Sequence, residues 1–140
     1  MAGRYGMSFA KKHIEEGEYE EAVRVATEEI DSGSASPDTF VDRATALDLL
    51  ERHEESVRDF ERALELDREA KELTLEDVDD AYFSALASAA MSVASSDRAA
   101  GVAMLARYAR ALPGGRHLAD VAEWQKRVTG ELVSTLDKTT

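Results

Sequence analysis

The side chains with chemical reach are three histidines, His13, His53 and His117, set among 29 carboxylates. Two histidines have a carboxylate three residues on: His13 with Glu16, and His117 with Asp120. On a helix that spacing puts both groups on one face. Such a pair is a start for a metal site, but a metal needs three or four ligands. The sequence around neither pair supplies a further cluster, so packed or half-exposed histidines are expected, with no metal and no cofactor. The chain has no cysteine, which removes disulfides and thiolate ligands. Pro113-Gly114-Gly115 lacks the Lys-Ser/Thr of a phosphate loop and reads as a helix stop. No Ser/His/Asp arrangement has an ordering context. The expectation is a chain with no catalytic residues, not an enzyme.

Composition narrows the remaining classes. The chain has 140 residues, 44% hydrophobic and 33% charged, with a net charge of −12. These values describe one globular domain with a real core. Residues 1–80 carry 24 acidic and 10 basic side chains, a balance of −14, while residues 81–140 carry 5 and 7, a balance of +2. A field of that sign disfavours nucleic acid, whose phosphates want a basic face. It suits either simple solubility or an acidic face for a basic partner. Residues 81–96 form the longest uncharged stretch and fall short of the roughly 20 apolar residues of a membrane span. The N-terminus has no apolar core of signal-peptide length. A cytoplasmic protein without membrane contact is expected.

The elements that must position these residues are helices. No stretch alternates as a strand does, and no Asn-Gly or Asp-Gly hairpin occurs. The pattern predicts seven helices, near residues 4–16, 18–30, 37–52, 54–71, 74–95, 97–111 and 118–136. Gly17 suits a left-handed helix end. Ser36-Pro37-Asp38 is a start signal: a capping serine, a proline in the first turn and an acid at the positive end of the dipole. Thr74 and Asp77 suggest a capping box for the fifth helix. Short links make neighbouring helices antiparallel hairpins.

The hairpins echo one another. An offset of 34 residues pairs Ala10 with Ala44, Tyr19 with His53, Ala22 with Ser56, Ala26 with Phe60 and Glu29 with Ala63. Two helices per 34 residues, with small residues where helices meet, resemble the tetratricopeptide repeat (TPR). The second repeat, near 37–70, carries the resemblance best, with Ala44, Phe60 and Ala63 in the run FERALELD. The first, near 3–36, keeps Ala10, Gly17, Tyr19 and Ala22 but departs at Ala26 and Glu29. A degenerate third, near 82–113, places Ala89, Gly101, Leu105 and Tyr108 in the corresponding positions, after an insertion at 71–81. The last helix, with Leu118, Val121, Trp124, Val128 and Leu132 at three- and four-residue spacing, is expected to cap the stack. The resemblance implies an all-α fold of antiparallel hairpins, stacked as a short right-handed solenoid in a single domain.

It also implies a concave face, lined by the first helix of each hairpin, that binds a protein or peptide. The candidate lining is Arg4, Met7, Lys11 and Ile14, then Asp38, Val41, Asp42, Thr45 and Asp48, then Phe83, Leu86 and Ala90. Some family members clamp a C-terminal carboxylate with Lys and Asn at set positions of this face. Here those positions hold Met7, Lys11 and Asp42, with either Phe83 and Leu86 or Glu72 and Glu76. Asp42 repels a carboxylate, so that mode is not expected. The expected function is a non-enzymatic adaptor for a basic protein or peptide. The alternative is a structural module that self-associates as a homodimer through uncovered hairpin faces.

Overall fold

The computed structural model describes the backbone of residues 9–139 and the side chains of residues 9–130. The described residues are helix and turn, with no strand. The helices are α1 (Phe9–Glu15), α2 (Tyr19–Asp31), α3 (Pro37–Leu49), α4 (His53–Ala70), α5 (Leu75–Ala94), α6 (Arg98–Leu105), α7 (Arg107–Ala111) and α8 (Leu118–Thr139). α6 and α7 are a single run: Ala106 between them keeps right-handed angles, φ −64° and ψ −17°, and its N–H donates to Val102. The protein is all-α, as the sequence predicts. No described helix is long and apolar enough to cross a membrane. The chain packs as two compact units, Met1–Val78 and Asp79–Thr140. The boundary falls inside the 71–81 stretch that interrupts the 34-residue period.

In the N-terminal unit, α1 packs on α2, α2 on α3 and α3 on α4, and α1 also reaches α3. Small residues make this possible. Ala10, Ala22, Ala26 and Ala46 form a buried cluster, with Ile14, Tyr19, Val23 and Val25 packed against it. Ser56 is fully buried and its hydroxyl donates to the Ala44 carbonyl at 2.7 Å, so α4 lies directly against the backbone of α3. Phe60 and Ala63 are buried further along α4.

The turns within the two hairpins of this unit, α1–α2 and α3–α4, are alike in detail. After α1, Gly17 is left-handed at φ 79°; after α3, Glu51 is left-handed at φ 63°, 34 positions later. Glu18 donates to the His13 carbonyl at 2.8 Å, and Arg52 to the Leu47 carbonyl at 2.8 Å. Gly17 donates to Ile14 at 3.0 Å, and Glu51 to Asp48 at 2.9 Å. The next helix opens from Glu18 at φ −95°, ψ 67° and from Arg52 at φ −96°, ψ 65°. Glu51 also explains why α3 stops at Leu49 rather than near residue 52: a left-handed residue cannot continue a right-handed helix. Between these hairpins, Ser36 and Pro37 start α3 as expected. The Ser36 N–H donates to Thr39 Oγ1 at 3.1 Å, and the Thr39 hydroxyl donates to Glu29 at 2.7 Å. Glu29, where the repeat pattern wants alanine, thus serves the next helix start.

In the C-terminal unit, α6 and α7 pack on α8. Gly101 marks the contact of α6 with α5: a Cβ there would stand 2.7 Å from Ala94 Cβ and 2.9 Å from the Ala90 carbonyl oxygen. Ala89, Leu105 and Tyr108 are fully buried. On α8, Val121 and Val128 are buried and Gln125 Nε2 donates to the Val102 carbonyl at 3.1 Å. Trp124 is half-buried, with the Arg127 guanidinium 4.7 Å over its ring. The turn between α5 and α6 is of another kind. Ser96, in the place of Gly17 and Glu51, is not left-handed. Asp97 caps α6 instead, its carboxylate accepting the Ala100 N–H at 3.1 Å.

Candidate functional site

The candidate face belongs to the first helices of the two N-terminal hairpins. The buried residues of α3 are Pro37, Thr39, Phe40, Ala44, Ala46 and Leu47. Of its expected lining residues, Asp38 is exposed and Val41, Asp42, Thr45 and Asp48 are half-exposed. On α1, Lys11 is exposed.

Several expected lining residues have other employment. Ile14 packs against the alanine cluster. The Thr45 hydroxyl donates to the Val41 carbonyl within its own helix at 2.8 Å. Asp48 Oδ1 lies 2.6 Å from His53 Nδ1, a pairing across the α3–α4 turn. Of the acids on this face, Asp38 is exposed and Asp42 is half-exposed. Arg4 and Met7 lie outside the described residues. Phe83, Leu86 and Ala90 belong to the C-terminal unit, where they are buried. Tyr82, Ala85, Ala87 and Ala89 are buried as well, so α5 is apolar on nearly every side and helical spacing could not single out an open face.

A cleft of about 220 Å³ opens elsewhere in the N-terminal unit, lined by Val23, Thr27, Leu47 and the arginines Arg43, Arg52 and Arg58 among others. Its chemistry is largely committed. Arg43 donates to both Asp59 oxygens, at 2.6 and 2.8 Å, and to Thr27 Oγ1 at 3.2 Å. Hydrogen bonding to Asp59 raises the Arg43 pKa against the cost of burial. Arg52 forks onto Glu55 at 3.1 and 2.7 Å.

Both histidine–carboxylate pairs acquire a third group that the linear sequence did not supply. The turn at Gly17 folds Glu18 back, and its Oε1 lies 2.8 Å from His13 Nδ1. That contact, followed by Glu16, holds the Glu18 carboxyl below its ordinary range. His13, Glu16 and Glu18 bring their ligand atoms within 4.8 Å of one another, on a largely exposed surface. In the C-terminal unit, His117 Nδ1 lies 2.8 Å from Asp120 and Nε2 lies 2.7 Å from Asp80 on α5. Arg116 also forks onto Asp80, at 3.1 and 2.5 Å. These hydrogen bonds, the Arg116 one first, hold the Asp80 carboxyl down at about 2. Beneath them Asp79 is buried, accepting the Tyr108 hydroxyl and the Arg116 N–H, the latter at 3.0 Å. Burial and then the Asp79 bond push Tyr108 up to about 12.

Comparison of the chain with protein-family models, with curated proteins and with solved structures returned no match.

Proposed function

We propose that this chain is a non-enzymatic adaptor of TPR-like construction, which binds a protein or peptide of basic character on the face formed by α1 and α3. The observation that carries the reading is the recurrence of one turn 34 residues apart, Gly17 with Glu51 and Glu18 with Arg52. Equal turns within hairpins 34 residues apart, and the packing of α1 on α3, support reading these two helices as the first helices of successive repeats, and such repeats use that surface for binding. Asp38 and Asp42 give it a negative field in the acidic half of the chain. A basic segment is drawn in by that field and held by contact with Val41. Catalysis has no place in this reading, because the paired His, Asp and Arg side chains serve turns and helix contacts.

Selection of random peptides from a display library on the immobilised chain tests it. The enriched peptides are expected to be rich in Lys and Arg with interspersed apolar residues. Their binding should shift the amide resonances of α1 and α3. Enrichment of acidic peptides, or shifts confined to α2 and α4, would overturn the assignment.

A further inference from the structure

We propose that His117 is a proton-controlled latch, which holds the first turn of α8 to α5 when protonated and releases it when neutral.

The geometry around the ring carries this. Both nitrogens meet carboxylates, Nε2 at 2.7 Å from Asp80 and Nδ1 at 2.8 Å from Asp120. An ionised carboxylate only accepts, and a neutral imidazole has a single N–H. Only the imidazolium donates to both at once. In either neutral tautomer a ring lone pair faces a carboxylate oxygen at hydrogen-bond distance. Asp80 stays ionised, because Arg116 grips it as well.

The placement of the ring turns this chemistry into mechanics. His117 immediately precedes α8, and its Nε2 contact is to α5, 37 residues back. The ring lies flat on Phe83 of α5, with centroids 4.6 Å apart and planes 6° apart. The His117 N–H donates to the Tyr108 hydroxyl at 3.0 Å, and that hydroxyl donates in turn to Asp79. The charged and titratable groups about the ring are thus Asp79 and Asp80 from α5, Tyr108 from α7, Arg116 from the turn and Asp120 from α8. Partial burial lowers the His117 pKa, but the bonds to Asp80 and Asp120 outweigh it and the net direction is up. A histidine pKa raised in the folded state gives stability that is complete below the unfolded value near 6.5 and is lost as pH rises through the folded one. The latch therefore opens toward alkaline pH. On the acid side the Asp80 contribution is complete above its ordinary value of 3.8 and is lost as pH falls toward about 2.

Two readings on the full chain test this. Proton–carbon NMR of the His117 ring should titrate above 6.5, and Asp120→Asn should move that titration downward. Hydrogen-exchange protection over residues 118–124 should fall several-fold as pH is raised through the His117 titration, and His117→Gln should abolish that pH dependence. A His117 pKa at or below 6.5, or equal loss of protection in His117→Gln, would overturn the latch. Should His117→Gln fail to fold, Asp120→Asn decides: an unmoved titration overturns the proposal.

Discussion

The N-terminal unit writes its turns in the backbone, and the C-terminal unit writes them in side chains. In the first, one turn is used twice, and its geometry is set by a left-handed residue at Gly17 and again at Glu51. The carboxylates nearby, Glu18 and Asp48, pair with histidines at the surface. In the second, Ser96 is not left-handed, Asp97 caps α6, and the next turn is held by the Asp79–Tyr108–Arg116–His117 network. Charge follows the same division. Residues 1–78 carry 22 acidic and 10 basic side chains, a balance of −12, and residues 79–140 carry 7 of each. The comparison teaches that hairpins packed through similar small residues can be closed by two different kinds of turn. Ala89, Gly101, Leu105 and Tyr108 are all buried, although the connection between their helices is of another kind.

The largest expected effect tests the packing of the N-terminal unit. Phe60 is 1% exposed, and Phe60→Ala is expected to cost about 3–5 kcal/mol. Urea unfolding followed by circular dichroism measures it, and a loss under about 1 kcal/mol would take Phe60 out of the core. Next comes the side-chain network of the other unit. Tyr108→Phe deletes the donor to Asp79 and the acceptor of the His117 N–H. Stranding buried polar groups costs about 1–3 kcal/mol, to be read by Trp124 fluorescence during unfolding. An unchanged midpoint would demote the network to decoration. Gly101→Ala is smaller. Crowding Ala94 and the Ala90 carbonyl costs about 1–3 kcal/mol, and about 1 kcal/mol returns as helix propensity. A net loss in thermal unfolding is expected; a gain would mean that α5 and α6 yield freely.

The smallest pair is the sharpest for the comparison itself. Glu51→Gly removes the Cβ penalty of a left-handed residue and should stabilise by about 1 kcal/mol. Ser96→Gly, at the matching place of the third hairpin, has no such strain to relieve and should cost about 0.5–1 kcal/mol in chain entropy. Denaturant midpoints of the two variants should therefore move in opposite directions. Movement in the same direction would erase the distinction between the turns.

Much of the frame was legible in sequence because it depends on local signals. Ser36-Pro37 starts a helix and Gly17 ends one wherever they stand. The small residues at the 34-residue offset marked the helix contacts, and these positions are buried. The left-handed turn at Glu51 carried no glycine to announce it, and the expected helix ran through it to residue 52. The third member of the His117 cluster was hidden for a different reason. Asp80 reaches His117 through the packing of α5, 37 residues away, and no spacing rule covers that distance. Asp67 is likewise beyond any spacing rule: it is buried and accepts the Glu72 and Leu73 amides at 2.7 and 2.9 Å. The candidate face suffered most, since helical spacing says which residues share a side and not which side is covered. Phe83 and Leu86 fell to that ambiguity, and Ile14 in part.

The central claim is that a basic partner is bound by the face carrying Asp38 and Asp42. Isothermal calorimetry of a selected basic peptide tests it most directly, using the wild type, Asp38→Lys with Asp42→Lys, and Glu65→Lys with Glu69→Lys. The second double variant makes the same charge change on exposed residues of α4. Salt screens such charges over roughly 8–10 Å, so wild-type affinity should fall as salt rises. The α3 reversal should weaken binding at least tenfold at low salt, and the α4 reversal should weaken it far less. Equal losses from the two reversals, or an affinity indifferent to salt, would contradict the claim.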